Sequence, residues 1–344
     1  MRDRWLAWLK RRWLYCLVAT GLLGFGIVRY HEFKQIVSTL IHGRWEWVLV
    51  AILLQVVVFV LYAVLYQVSF FTVNVKSRLS DLVPLLFASM CIDVMVPSGG
   101  VSSVALFVDD AARRGQSSAR AAQGALLVLA ADLATMVPLL LYALHYLSAQ
   151  RVLHAYQVLG VAAFVAFVGG LAAALLLGLR WPHWVRGLLQ SIQGIANRVA
   201  GWFRRPALLA EDWAHRNAAE FAGAAAGIAA HPHRVARALM LGLIIHVIDV
   251  IGLYAIFLAY QQPVPAGAVV AGFALDVVFS VVSFIPRGVG VAEGVITVAL
   301  TSLGVPAAKA LVIALVARGL NIWLPFLPGF YFLRKVRTFG AAGS

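Results

Sequence analysis

The chain has 344 residues, 62% of them hydrophobic and 12% charged, with a formal net charge of +14. A soluble domain carries about 25% charged residues, and the basic excess gathers at the ends of apolar runs, so a soluble domain and a nucleic-acid-binding role are both excluded. Apolar runs of about 20 residues, continuous rather than alternating, exclude an outer-membrane barrel and predict an all-α, polytopic membrane bundle.

The chain begins "MRDRWLAWLKRRW", basic with interleaved Trp5, Leu6, Leu9 and Trp13, which reads as an interfacial lead-in. Apolar runs follow at 14–28, 45–71, 80–96, 120–147, 155–179, 236–260, 268–285 and 307–333. The first lacks an A-x-A-like cleavage site and is read as a retained helix. Two pieces, 101–112 and 289–303, are too short to span, and they follow segments that end at Pro97 and Pro286. A polar region, 180–235, connects the two halves. Within 186–205, Leu189, Ile192, Val199 and Trp202 recur at helical spacing opposite Arg186, Gln193, Asn197 and Arg198. That pattern predicts a helix lying on an anionic lipid surface. "AHPHRVAR" predicts a helix start with Pro232 in its first turn.

Placing the N-terminus in the cytoplasm, and letting 80–112 and 268–304 each turn back without crossing, puts most of the 28 Lys and Arg on the cytoplasmic side. The C-terminus is then cytoplasmic as well. The two turn-back segments share a pattern. "CIDVMVPSGGVSSVALFVDDAARRG" and "ALDVVFSVVSFIPRGVGVAEGVITVAL" each hold an acid (Asp93, Asp276), a proline with glycines, and a short apolar return. Entered from opposite sides, they make an inverted repeat, 45–147 against 236–333, within one transmembrane domain covering 1–335. Backbone broken at membrane depth survives only inside protein or beside a wet cavity, and transporters place midplane sites at such breaks.

"PRGVGVAEG" and its weaker partner "PSGGVSS" resemble the lysylphosphatidylglycerol synthase transmembrane-region family, the flippase-like integral membrane proteins, and the order of segments is similar from 14 to 335. Pro286, Gly288, Gly290 and Glu293 match the second-half motif. Arg287 departs from it, and only Pro97, Gly99 and Gly100 match the first-half motif. The resemblance implies a transporter or flippase of phospholipids or related lipids in a bacterial inner membrane, binding a headgroup between opposed hairpins. Some relatives carry a fused aminoacyl-transferase domain; this chain does not, so synthesis of an aminoacyl lipid is not expected of it.

Charges at membrane depth are functional candidates, since each costs about 2.5–3.5 kcal/mol at a helix centre. Arg287 and Arg318 are candidate phosphate ligands, because a guanidinium grips phosphate oxygens with two donors. Structural pairs, Arg287–Glu293 or Arg318–Asp276, are the alternative. Glu293 is a candidate ligand for an amine or a proton. Asp93, Asp132, Asp249 and Asp276, with His246 three residues before Asp249 on one helical face, are candidates for proton or ion coupling. Gln55 and Gln67 read as packing groups. Cys16 and Cys91 lie in separate segments, and neither metal-ligand nor nucleotide-loop spacing occurs, so no metal, cofactor or ATP site is expected. No catalytic motif is legible. A membrane-embedded enzyme acting on a lipid head and an ion-coupled solute transporter remain the alternatives, and the sequence is silent on the oligomer.

Overall fold

A computed structural model describes residues 41–95, 101–180, 231–283 and 288–339, and within 186–230 only 186–187, 189–191, 193–194, 197–198, 212, 214–216, 218–219, 226 and 229–230. Expectations for residues 1–40, and for Pro97, Gly99, Gly100, Pro286 and Arg287, lie outside the described residues.

The described elements are helices: α1 (Trp45–Thr72), α2 (Leu79–Met95), α3 (Val101–Arg113), α4 (Ser118–Ala149), α5 (Ala155–Arg180), α6 (Pro232–Ala259), α7 (Ala266–Val282), α8 (Val291–Ser302), α9 (Ala307–Arg318) and α10 (Leu324–Phe339). A π-helical turn, Gly319–Trp323, joins α9 to α10. Among the described residues, five stretches are long and apolar enough to cross a membrane: 45–72, 118–149, 155–173, 232–259 and 307–333. Their outer faces carry side chains such as Leu53, Leu159 and Leu327, the last 76% exposed. Water would penalise such a surface and hydrocarbon favours it. The chain is an integral, multi-pass membrane protein, as the sequence predicted.

α1 and α6 form an antiparallel central pair. At one end the Arg44 amide donates to the Ala259 carbonyl at 2.8 Å. At the other, the Arg234 guanidinium stands 4.6 Å over the Phe71 ring. Around this pair the remaining helices exchange partners in a regular way. α2 packs on α10 and α7 on α4; α3 packs on α4 and α8 on α9; α2 meets α3 and α7 meets α8. Tyr66 and Phe70 of α1 hold Phe107 of α3, the Tyr66 and Phe107 rings stacked 3.9 Å apart.

Short connections keep the ends of each short-helix pair together. The Lys76 amide donates to Gln116 Oε1 at 2.7 Å, and Gln116 Nε2 returns a bond to the Lys76 carbonyl at 2.9 Å. The loop before α2 is thereby tied to the loop after α3. Lys309 Nζ donates to the Gln261 carbonyl at 3.3 Å, which ties the start of α9, just after α8, to the turn before α7. With 12 to 17 residues each, α2, α3, α7 and α8 are about 18 to 26 Å long, short of the ~30 Å hydrocarbon core.

Close approach is set by small residues. A Cβ at Gly329 of α10 would run into the Phe87 carbonyl of α2, with Cys91 Cβ at 3.0 Å. A Cβ at Gly242 of α6 would stand 2.8 Å from Thr135 Oγ1 of α4. α6 starts as expected, with Pro232 at its first position. In the connector, Leu189, Gln193 and Asn197 share a half-buried face while Arg186 and Arg198 are exposed. Gln193 and Asn197 were expected among the exposed residues. Gln193 instead accepts the Ala214 amide at 3.3 Å, so the connector folds on itself there.

Candidate functional site

The residues around the α7–α8 turn converge on one guanidinium. Arg318, the last residue of α9, is 5% exposed. Its Nε donates to Glu293 Oε1 at 3.1 Å. Its Nη1 donates to Asp276 Oδ1 at 3.2 Å and to Ser280 Oγ at 2.8 Å. The other oxygen of Glu293 accepts the Gly290 amide at 2.6 Å, closing the first turn of α8. Gly288 and Gly290 permit this turn, with φ of +64° and +88°. A Cβ at Gly288 would stand 2.8 Å from the Phe279 carbonyl and from Ser280 Cα of α7, so the turn lies directly on the helix before it.

Of the expected site residues, Asp276, Glu293 and Arg318 are therefore together, and both oxygens of Glu293 are occupied. The sequence offered Arg318–Asp276 as one structural pair; the described arrangement is a three-residue fork in which Arg318 satisfies two carboxylates.

Beside the fork lies a cavity of about 200 Å³. Asp93 of α2, Asp132 of α4 and Asp249 of α6 line it, with Gln55, Tyr62, Ser103, Ser280 and Asn321. Ser280 belongs both to the cavity wall and to the Arg318 fork. Tyr62 donates its hydroxyl to Asp132 Oδ1 at 2.9 Å. His246 Nε2 lies 2.8 Å from the Asp132 carbonyl oxygen and 3.6 Å from its Oδ1. A carbonyl only accepts, so Nε2 carries the proton. His246 Nδ1 and Asp249 Oδ1 are buried and have no hydrogen-bond partner among the described residues. Asp249, Gln55 and Asn321 also line a smaller adjoining space of about 30 Å³, which reaches Asp276.

Asp276 and Glu293 share the Arg318 guanidinium, and Asp93, Asp132 and Asp249 line the cavity beside it. A buried carboxylate without a partner is costly. Asp249, whose Oδ1 has no hydrogen-bond partner among the described residues, is the acid suited to take up a proton or a cationic group.

Sequence reasoning placed the acids but missed the α1 side of the cavity. Gln55, Phe59, Tyr62 and Tyr66 fall at i, i+4, i+7 and i+11, one stripe of one helix, and all four line the cavity. Gln55 was read as packing; it is 7% exposed and faces both spaces. The stripe was legible in the spacing and in the run of polar tips on an otherwise apolar helix.

Among the described residues, no group of three His, Cys, Asp or Glu side chains is placed to hold a metal ion. A model of the family described as lysylphosphatidylglycerol synthase TM region matches residues 12–329. No curated protein matches the chain.

Proposed function

Because the chain belongs to the lysylphosphatidylglycerol synthase transmembrane-region family over nearly its whole length, we propose that it is a lipid transporter that takes a lipid headgroup into the acidic cavity between its two halves. The observation that carries this reading is the cavity itself: Asp93, Asp132 and Asp249 face one space inside a bundle of apolar helices. A headgroup bearing an ammonium matches its charge, and the unpartnered Asp249 is the group with most to gain from that ammonium or from a coupling proton.

The topology that goes with this is an inverted repeat with α2–α3 and α7–α8 as re-entrant hairpins. It is supported by the helices' short lengths, by the ties Lys76–Gln116 and Lys309–Gln261 across the two mouths, and by the exchange of partners in which α2 meets α10 as α7 meets α4. In such a repeat α1 answers to α6 and α4 to α9. Asp132 and Asp249 then occupy non-equivalent helices. The end bearing Lys76, Arg78, Arg234 and Arg237 is cytoplasmic by the positive-inside rule, in a bacterial inner membrane.

The fork gives the transporter a latch. A lipid phosphate that competes for Arg318 releases Glu293 or Asp276, and the hairpin turn at Gly288–Gly290 loses its tie to α9. Arg287, adjacent in sequence, adds a second guanidinium to that exchange. The protein moves the lipid without altering it covalently.

The test is reconstitution in liposomes carrying headgroup-labelled lipids in one leaflet. Wild-type protein should speed the exchange of an amine-bearing lipid between leaflets, with its mass unchanged. Asp249→Asn and Asp132→Asn should each lower the rate about tenfold or more, equivalent to roughly 1.4 kcal/mol or more. A chemically altered lipid, or exchange at the protein-free rate with every lipid tried, would overturn the proposal.

A further inference from the structure

A second concavity, of about 840 Å³, lies at the end of the bundle where α1 stops and α6 starts. That volume is in the range of about 300–1,000 Å³ common to ligand sites. Five cations line it: Lys76, Arg78, Arg114, Arg234 and Arg237. Arg114 is already engaged, 2.7 Å from Asp81 Oδ2 and 2.9 Å from Asp110 Oδ2. The other four have no carboxylate partner among the described residues.

The groove is built rather than accidental. Its floor is the loop 73–78, fixed by the two Lys76–Gln116 bonds and by Gln67 Nε2 donating to the Ser77 carbonyl at 3.4 Å. Arg234 is held over Phe71 and donates to its carbonyl at 3.4 Å. The N-termini of α2 and α6 both open here, each adding partial positive charge. Two helix ends and four uncompensated cations specify an anion, and Arg234 and Arg237, one turn apart, suit phosphoryl oxygens.

The surroundings identify where that anion comes from. Phe71 is 64% exposed, and within a turn of Arg237 the outer face of α6 becomes Met240, Leu243 and Val247, all exposed and apolar. The cationic groove is therefore continuous with a lipid-facing surface on a spanning helix. A soluble anion has no use for that surface, whereas acyl chains would lie along it. We propose that this groove is an interfacial binding site for the phosphoryl headgroup of an anionic phospholipid, drawn from the leaflet at that end of the bundle. It shares no residue with the acidic cavity and stands or falls independently of the transport reading.

Native mass spectrometry of the full chain in mild detergent tests it, with phosphatidylglycerol and phosphatidylcholine titrated side by side. Wild-type protein should hold phosphatidylglycerol about tenfold more tightly than phosphatidylcholine. Lys76→Gln with Arg78→Gln, on an exposed loop where folding is not at risk, should abolish that preference, as should Arg234→Gln with Arg237→Gln. Arg113→Gln with Arg120→Gln removes the same charge outside the groove and should leave it intact. Inorganic phosphate and glycerol phosphate at the lipid's concentration should not displace the lipid. An unchanged preference in the Lys76/Arg78 variant overturns the site. So does an equal loss in the Arg113/Arg120 control, which would mean diffuse charge attraction. Displacement by inorganic phosphate overturns the lipid assignment in favour of a soluble anion.

Discussion

Arg318 and Asp249 sit at opposite extremes of satisfaction. Arg318 meets Glu293, Asp276 and Ser280, whereas Asp249 Oδ1 has no hydrogen-bond partner among the described residues. Replacing Arg318 by leucine takes the guanidinium away from two part-buried carboxylates, and should cost about 3–5 kcal/mol of stability in a thermal melt of the detergent-solubilised protein. Arg318→Lys keeps the charge but cannot span both carboxylates, so the loss should be smaller, about 1.5–3 kcal/mol. Asp249→Asn should behave oppositely: the melting temperature holds or rises, because a buried charge is removed, while lipid exchange falls. A drop in melting temperature for Asp249→Asn as large as that for Arg318→Leu would mean that Asp249 is a structural group. These pairings were only partly legible in the sequence. The spacing that put His246 near Asp249 is local to one helix, but Glu293 and Arg318 are 25 residues apart on different helices, and only packing selects that contact. The hydrogen bond from Tyr62 to Asp132, 70 residues apart, was invisible for the same reason.

Element positions were the most legible feature, because a bilayer dictates a length. The run expected at 45–71 is a helix over 45–72, that at 155–179 one over 155–180, and that at 307–333 a span of the same bounds. What the sequence did not disclose is the π-turn inside the last span. It follows Arg318 directly, and Asn321 within it donates to the Ala317 carbonyl at 3.3 Å while facing the cavity. An inserted π-turn changes the facing of every residue after it, so a plain 3.6-residue projection misplaces α10. Gly329 on α10 gives the test. Its contact with the Phe87 carbonyl leaves no room for a methyl group, so Gly329→Ala should force α2 and α10 apart at a cost of about 1–3 kcal/mol or more. Cys91 lies in that same contact and is fully buried. In a Cys16→Ser background its alkylation should be slow in the wild type and faster in Gly329→Ala. Equal alkylation rates would show that the helices are not so closely seated.

For the whole molecule the decisive quantity is which loops share a side. If both short-helix pairs are re-entrant, residues 78 and 116 are reached from one face of the membrane, and residues 304 and 309 from the other. Single cysteines at those positions, labelled with an impermeant maleimide in sealed vesicles, should fall into those two groups. Labelling of 78 and 116 from opposite faces would mean that α2–α3 crosses. The sequence points to this arrangement through the distribution of Lys and Arg, a global signal that no single motif holds. The structure adds two ties, Lys76–Gln116 and Lys309–Gln261, one beside each short-helix pair.

Glu293 uses one oxygen to close the first turn of α8 on the Gly290 amide and the other to hold Arg318. Fraying of that turn and release of the guanidinium thus draw on the same carboxylate, which makes the Gly290 amide a reporter of both. Its deuterium uptake should be slow while Arg318 is clamped, and should speed up when Arg318→Leu frees the carboxylate to swing, or when a bound phosphate draws the arginine away. A time course of exchange in nanodiscs, with and without lipid supplied, would then read out occupancy without any label on the lipid itself.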